Sequence, residues 1–566
     1  MKYKVTILPN NIELSVEEGT NLLEVQRTAG LNPDAPCGGQ GTCGKCLVDL
    51  WDGTTYKTVR ACQTVVDRDL TFRIKGGESH HLLESGTKRS FLLDPAIKWG
   101  SVSVEKCKFG ESTSDWERLK DSLSTQFAVD QDMITSDLKT IAGLNQTLVD
   151  NEYSLDAVMY NNELLDLRKE VKPFAAAIDI GTTSVVCYLL DLATGDEIDH
   201  TSTLNPQAQY GADVISRAEA AIDGKGTELA SLIRNGINEL LQKAADNAGC
   251  KTQDIYLVSI AGNTCMHHLF LDISPESLVH APYNSTVNEE LVLTASELGI
   301  GINPNGRIQM LPNIAGFVGA DTAGVLLATD FDKEEDLTLV IDIGTNGEMV
   351  MGNKERMIAC STAAGPAFEG AKIEMGMRGR AGAIDHVFAD ENGEISCSVI
   401  DDAQPEGICG SGLLDAVSVL LTTERMSESG KLEDGDRFYL KGDVYISQKD
   451  IREVQLAKGA IAAGIELMAE HLGIQIDDIK KVKIAGAFGN YMDPHSACVI
   501  GMIPAQLEDR IVMIGNAAGE GAKIAALNYS EYRRAEEITK KVEFLELATS
   551  PEFQDTFVDH LMFETE

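Results

Sequence analysis

Three cysteines in one glycine-rich loop, with a fourth shortly after, limit what the start of this chain can be. The run CGGQGTCGKC spans Cys37 to Cys46 and Cys62 follows in RACQT, giving the spacing C-x5-C-x2-C-x15-C. Thiolates so placed can converge on a small iron–sulfur cluster, because glycine lets the backbone curl round it and offer N–H groups to its sulfurs. Tetrahedral zinc also accepts four cysteines, but zinc sites usually pair two short knuckles, and here the fourth thiol stands alone. The pattern points to a [2Fe–2S] cluster on Cys37, Cys43, Cys46 and Cys62. What the rest of the chain does with an electron is then the question.

A chain of 566 residues should hold several domains, each burying its own core. With 48 Lys plus Arg against 88 Asp plus Glu, its formal charge of −40 argues against nucleic acid or an anionic membrane surface as partner. No apolar run reaches the roughly eighteen residues of a membrane span, and MKYKVTILPN has no signal-peptide pattern. Eight of the twelve cysteines are scattered singly, which does not read as a disulfide framework. The expectation is a protein of the reducing cytoplasm.

Lys2–Leu8 and Ile12–Val16 alternate as strands around a turn at Pro9-Asn10-Asn11. Thr20 should cap a short helix over Asn21–Thr28, ended by Gly30; strands at Leu47–Leu50 and Leu70–Ile74 follow the cysteine loop. Hairpin, helix, cysteine loop and returning strands resemble the β-grasp fold of [2Fe–2S] ferredoxins over residues 1–76, although the gap between the third and fourth cysteines is short. Residues 77–90 are polar and aperiodic, a linker in which His80-His81 carries no clear chemistry. Residues 91–172 read as a small α+β middle domain, a spacer or dimerisation unit. It has a strand at Ser101–Lys106, helices at Asp115–Phe127 and Ser136–Ala142, and a strand at Asn162–Arg168.

Residues 173–566 contain an internal repeat. An apolar strand leads into DIGTTS at Asp179–Ser184, and another leads into DIGTNGE at Asp342–Glu348. Each has a glycine-ended echo downstream, IYLVSIAGNT at Ile255–Thr264 and VKIAGAFGNY at Val482–Tyr491. Two similar α/β lobes facing each other are expected, the second beginning near residue 337. The glycine permits a tight turn with outward N–H groups, the threonine adds a hydroxyl, and the strand-end aspartate holds Mg²⁺ through water. Two such turns from facing lobes grip a polyphosphate from both sides.

This arrangement resembles the actin, sugar kinase and heat-shock-chaperone superfamily of ATPases. The resemblance puts Asp179, Gly181, Thr182 and Thr183 in the first phosphate motif. Asp342, Gly344, Thr345, Asn346 and Gly347 fall in the second. Gly486, Ala487, Phe488 and Gly489 fall in the adenosine motif, and Gly519 in the helix closing the adenosine side. It also implies a connecting helix before the second phosphate motif, within Pro312–Ala328, where Asp321 would orient water or bind Mg²⁺; a helix-capping role for Asp321 and a catalytic role for Glu348 are the alternatives. The runs Ala363–Gly370 and Gly407–Asp415 should line the cleft between lobes, with Gly410–Gly412 offering N–H groups to an anion. Cys409, Cys187, Cys250, Cys265, Cys360, Cys397 and Cys498 read as packed thiols, and His267-His268 as helix surface and core.

Electron transfer needs ATP when the acceptor lies below the donor, each 100 mV costing about 2.3 kcal/mol per electron. Plant-type clusters sit near about −400 mV, so the acceptor is a very low-potential centre. From end to end, through CGGQGTCGKC, AGNTCMHHL, PNIAGFVGADTAG and GICGSGLLD, the chain is similar to the reductive activators of corrinoid proteins. The resemblance implies ATP-dependent transfer of one electron to Co(II), regenerating Co(I) for methyl transfer. The implied partners are a corrinoid protein and a low-potential donor such as ferredoxin or flavodoxin, with a homodimer left open. The nearest thing to a base-off corrinoid signature is Asp493-Pro494-His495, but Cys498 stands where glycine is required, so the cofactor belongs to a partner. The alternatives are an activator of the 2-hydroxyacyl-CoA dehydratase type, a sugar-type kinase with a redox sensor, and a nucleotide-gated metallocentre chaperone.

Overall fold

Alternating apolar residues build a mixed five-stranded sheet at the N-terminus: β1 (Lys2–Leu8), β2 (Ile12–Glu17), β3 (Leu47–Trp51), β4 (Tyr56–Arg60) and β5 (Leu70–Ile74), in the order β2-β1-β5-β3-β4. β1 pairs parallel to β5 and antiparallel to β2, and Val5, Ile7, Val48 and Phe72 form a core with Leu22, Leu23 and Val25 of helix α1 (Leu22–Thr28). The α1 cap is Asn21, whose Oδ1 accepts from the Glu24 N–H at 2.9 Å, and not Thr20. The computed structural model describes residues 2–8, 12–29, 39, 41, 46–51, 53, 55–74, 89–344, 346–486, 491–547 and 550–563. The turn at Pro9–Asn11, the helix end at Gly30, His80-His81 and most of the 77–90 linker lie outside these. Arg89 and Leu92 are docked, Arg89 on Asp330 at 3.3 Å and the Leu92 carbonyl on Asn528 Nδ2 at 2.7 Å.

A second small sheet contains β6 (Ile97–Ser103), β7 (Thr135–Ser136), β8 (Ser154–Tyr160) and β9 (Glu163–Arg168), with helices α2 (Asp115–Phe127) and α3 (Leu138–Asp150) burying Leu119, Leu123, Leu144 and Leu148. β6 starts and stops earlier than its alternation suggests because it pairs along the whole of β8, Ile97 opposite Tyr160 and Ser103 opposite Ser154. α3 starts after Asp137, which caps it through the Thr140 N–H at 3.0 Å, and runs on through Gly143. The Arg168 guanidinium meets Asp254 at 2.6 Å, fastening this unit to the lobe that follows.

The first lobe holds β10 (Phe174–Ile180), β11 (Ser184–Asp191), β12 (Glu197–Leu204), α4 (Val214–Ala220), α5 (Gly226–Ala248), β13 (Ile255–Gly262) and α6 (Thr264–Leu271). It continues with α7 (Glu276–Val279), β14 (Leu291–Thr294), α8 (Ala295–Leu298), β15 (Arg307–Met310) and α9 (Ala320–Ala328), and its sheet runs β12-β11-β10-β13-β15-β14. The second lobe contains β16 (Thr338–Ile343), β17 (Gly347–Asn353), β18 (Arg356–Thr362), a small sheet of β19 (Ala383–Ala389), β20 (Ile395–Val399) and β21 (Gly407–Ile408), then α10 (Gly410–Thr422). A hairpin of β22 (Arg437–Lys441) and β23 (Val444–Ser447) leads to α11 (Gln448–Leu472), β24 (Lys481–Ala485), α12 (Pro494–Val499), β25 (Ile511–Gly515), α13 (Ala517–Leu527), α14 (Tyr529–Thr539), β26 (Val542–Phe544) and α15 (Pro551–Asp559). Its main sheet runs β25-β24-β16-β17-β18-β26. Each lobe centres on a strand paired antiparallel to its hairpin partner and parallel to the echo strand, β10 with β11 and β13, β16 with β17 and β24. The repeat seen in the sequence is a duplicated fold, and the whole is a multidomain α+β and α/β architecture.

α9 and α13 cross at glycine: a Cβ on Gly521 would lie 2.1 Å from the Gly324 carbonyl oxygen, so only bare backbones fit. Among the described residues no helix is long and apolar enough to cross a membrane.

Candidate nucleotide cleft and thiol site

The Asp179–Ser184 turn is held from inside the first lobe. The Gly181 carbonyl accepts from Asn205 Nδ2 at 2.8 Å, the Thr182 carbonyl from Arg217 Nη2 at 2.6 Å, and the Thr183 carbonyl from the Asn205 N–H at 2.9 Å. Asn263, the N-cap of α6, donates from Nδ2 to Thr182 Oγ1 at 3.0 Å. Engaging the carbonyls of a turn from behind suits one whose N–H groups receive phosphate oxygens. Arg217 is fully buried, and burial lowers its pKa to about 10.

In the second lobe Gly344 N–H donates to the Asn346 carbonyl at 3.0 Å, and Gly347 opens β17 where a Cβ would lie 3.0 Å from Thr362 Oγ1. Gly486 has φ +91°, and a Cβ there would lie 2.7 Å from Asp342 Oδ1, so the backbone at the end of β24 passes directly against the strand-end aspartate. Thr345, Ala487, Phe488 and Gly489 lie outside the described residues. Gly519 sits in the first turn of α13 against the Tyr188 ring, its N–H donating to Asn516 Oδ1 at 2.9 Å.

Asp179, Asp321, Asp342 and Glu348 come together electrostatically between the lobes. Burial pushes Asp179 up to about 7, opposed by a hydrogen bond from Asn516 and reinforced by the charge of Asp321. Asp342 is likewise pushed to about 7 by burial, then by Asp321 and Asp179, and burial raises Asp321 to about 6 against its backbone hydrogen bonds. Glu348, opposite Asp342 in the β16–β17 ladder, is raised further by burial and by both aspartates. Asp321 lies in the first turn of α9, whose N-cap is Gly319, so it is not the capping residue. Carboxylates whose ionised forms burial and mutual repulsion disfavour are stabilised by a nearby cation. Two hydrogen bonds draw the turns together: Thr183 Oγ1 to Glu369 Oε2 at 2.7 Å and Asn516 Nδ2 to Asp179 Oδ2 at 2.9 Å.

In the N-terminal unit Cys46 Sγ and Cys62 Sγ lie 3.3 Å apart, Cys46 buried beside the sheet core and Cys62 half-buried. Gly39 and Gly41 take φ of +102° and +79°, backbone open to glycine, beside Leu23 and Gln63. Paired thiols under a left-handed glycine loop fit an iron–sulfur cluster. Cys37 and Cys43 lie outside the described residues.

Models of four known segments match the chain in order: the 2Fe-2S iron-sulfur cluster binding domain at 5–69, the RACo linker region at 86–172, the RACo middle region at 174–334, and the C-terminal domain of RACo, the ASKHA domain, at 336–566. The corrinoid activation enzyme RamQ of Eubacterium limosum is 35% identical over 586 residues, covering 97% of each chain. This chain belongs to the reductive activators of corrinoid proteins. A solved reductive activator for corrinoid, iron-sulfur protein superposes with a TM-score of 0.76 at 32% identity over 99% of this chain and 98% of that one. The [Co(II) methylated amine-specific corrinoid protein] reductase of Methanosarcina barkeri is 28% identical over 69% of this chain and 77% of that one. The activator therefore carries an iron–sulfur domain and a nucleotide-binding domain.

Several polar residues of the activator's cleft escaped the sequence reading. Asn263, Glu369 and Asn516 lie inside runs picked out for their glycines, AGNT, AAGPAFEG and GNAAGEG, where the polar member was the informative one. Asn205 and Arg217 carry no local signal, since only the tertiary fold brings them under the turn. Other expectations change. Gly412 packs closely on β19, where a Cβ would lie 2.4 Å from the Ile384 carbonyl oxygen. His267 and His268 are both buried, His268 joining the Thr264 carbonyl at 2.7 Å to the Thr286 N–H at 3.1 Å. Cys250 and Cys397 are only half-buried, whereas Cys187, Cys265, Cys360, Cys409 and Cys498 are buried.

Proposed function

We propose that the activator delivers one electron to the Co(II) of a corrinoid protein, from a [2Fe–2S] cluster ligated by Cys37, Cys43, Cys46 and Cys62, under control of ATP bound with Mg²⁺ between its lobes. The reading rests above all on two matching strand–turn units closing on four carboxylates whose pKa values burial and neighbouring charge raise, in the same chain as the Cys46–Cys62 thiol pair.

A cluster held by these thiols stores and releases a single electron at low potential. The residues around it exclude water on the sheet side, where Cys46 is buried, and the Gly38–Thr42 rim meets a donor such as ferredoxin or flavodoxin and then the corrinoid protein. In the cleft, Thr182, Thr183 and the Gly344–Gly347 turn receive phosphate oxygens. Asp179 and Asp342 would hold a hydrated Mg²⁺, which would neutralise phosphate charge, and Asp321 or Glu348 orients the attacking water. Gly486 to Gly489 and Gly519 receive the adenosine. Nucleotide shifts the lobes only by the difference in its affinity for their open and closed forms.

Under this reading residues 1–76 carry the electron, 77–90 tether that unit, 91–172 space it, and 173–566 turn over ATP. The described start of the last segment's docking is Arg89, which meets Asp330 and Glu531. A homodimer is the oligomeric reading, supported by Leu138 (80% exposed) and Val149 (48%) on α3; sedimentation checks it. The scattered packed thiols suit a reducing cytoplasm.

The test is spectroscopic. Activator, MgATP and an artificial one-electron donor should convert a Co(II) corrinoid protein to Co(I), and Cys62→Ser should abolish conversion while keeping ATP binding. Conversion at the same rate and extent without ATP would sink the proposal, and so would an unimpaired Cys62→Ser.

A further inference from the structure

The loop between β18 and β19 carries two charged groups to the first phosphate turn, and only one of them has a partner. Glu369 receives the Thr183 hydroxyl at 2.7 Å. The loop then folds back so tightly that a Cβ on Gly370 would lie 2.8 Å from the Met377 nitrogen, which brings the backbone just before Arg378 against the backbone just after Glu369. Its neighbours are fixed elsewhere: the Met377 N–H donates to the Ile408 carbonyl at 2.8 Å, and Arg380 meets Glu406 at 3.2 Å. Arg378 has no ion pair or hydrogen bond among the described residues, and its Nη1 is buried. Arg217, hydrogen-bonded to the Thr182 carbonyl, senses both charges, Glu369 as an attraction and Arg378 as a repulsion, so Arg378 lies within electrostatic reach of the turn.

A buried guanidinium nitrogen without an acceptor is uncommon and costly, and arginine's planar fork matches phosphate oxygens in pairs. We propose that Arg378 binds the terminal phosphate of the nucleotide, reaching across the cleft from the second lobe toward Thr182 and Thr183. The phosphate supplies the acceptor that Nη1 lacks. It also adds negative charge beside two nearby arginines, Arg217 and Arg378, which share Asp213 and Glu369. The residue is then a lobe-closing ligand: it meets the phosphate only when the second lobe approaches the first turn, and it distinguishes nucleotides by how far their phosphates extend.

The inference rests on the nucleotide reading of the cleft, and the test separates the two. Calorimetric titration of the full-length activator with ATP, ADP and AMP in the presence of Mg²⁺ gives three affinities for wild type, Arg378→Gln and Arg378→Lys. Arg378→Gln should weaken ATP by about 10- to 100-fold, the range of a lost charge-assisted contact, ADP by less, and AMP by under about 2-fold. Arg378→Lys should restore part of the ATP affinity, and its ATP-to-AMP ratio decides the question if the Gln variant fails to fold. An unchanged ratio, with all three nucleotides weakened equally or none weakened, overturns the assignment of Arg378 alone. A wild-type protein that binds no nucleotide overturns the cleft reading and this inference with it.

Discussion

Asn516 and Asp179, 337 positions apart in sequence, are joined by a 2.9 Å hydrogen bond from Nδ2 to Oδ2. The same amide nitrogen lies 3.1 Å from the Tyr188 hydroxyl, and the amide oxygen caps α13 through the Gly519 N–H. One side chain thus ties α13 to the strand-end carboxylate of the β10–β11 turn, and its bond favours the ionised form of that carboxylate against burial.

Replacing Asn516 with Ala removes the cap and the carboxylate contact together. A lost cap costs about 1 kcal/mol and a lost hydrogen bond to a charged group about 1.5–3 kcal/mol. The expected outcome is destabilisation of roughly 2–4 kcal/mol in urea unfolding. Asn516→Ser should recover the cap share. If Asn516→Ala unfolds at the wild-type urea concentration, the bridge contributes nothing.

The crossing of α9 and α13 gives a second prediction. Gly521→Ala would force a methyl to within 2.1 Å of the Gly324 carbonyl oxygen, and Gly324→Ala would meet the Ala518 carbonyl oxygen at 2.8 Å. Overpacking of this kind costs about 1–3 kcal/mol, and the helices lie where the two lobes meet. Gly521→Ala should therefore lower both the melting temperature and the ATP dependence of Co(II) reduction, with Gly324→Ala milder. A melting temperature equal to wild type for Gly521→Ala would show that the helices can part without loss.

The duplicated lobes were legible because the determining chemistry is local: Asp179 to Thr183 and Asp342 to Gly347 each write a strand end and a turn in consecutive residues. The cysteine spacing was legible for the same reason. What stayed hidden is the support behind the turns. Asn205 and Arg217 reach Gly181 and Thr182 from β12's end and from α4, and nothing in their own surroundings distinguishes them from ordinary polar residues. Strand limits were misjudged where pairing decides them, as with Ile97 opposite Tyr160, since a strand ends where its partner does. The α3 start was misjudged because Asp137, a capping residue, follows two strand residues directly.

His267 sets a pH dependence. It is 2% exposed, neither ring nitrogen has a hydrogen-bond partner, and burial, aided by His268, lowers its pKa to about 3. In the unfolded chain the ring titrates near about 6.5. Between these values the unfolded state holds more protons, so the stability from keeping His267 neutral is present above about 6.5 and is lost as pH falls toward 3. His267→Phe should flatten the fall in stability over that window without changing stability much at pH 8. Urea titrations at pH 8, 6 and 5 for both proteins measure this, and parallel curves would show that His267 does not contribute to acid lability.

Arg217 separates holding the fold from holding the ligand. Its guanidinium is fully buried, its hydrogen bonds go to the Gly211 and Thr182 carbonyls and to Met266 Sδ, and burial that lowers its pKa to about 10 corresponds to a cost of roughly 3 kcal/mol for keeping it charged at neutral pH. Removing a buried charge and filling its volume with an apolar side chain is often neutral or stabilising, although here the two carbonyls lose their donor. Arg217→Met should therefore leave the urea midpoint near wild type. It should also weaken ATP by at least about 10-fold, because the Thr182 carbonyl is no longer drawn back and the positive charge beneath the phosphate is gone. Arg217→Lys keeps the charge and loses the fork, so its ATP affinity should fall between the two. The opposite pattern, a large loss of stability with ATP affinity intact, would make Arg217 a structural strut with no part in shaping the phosphate turn.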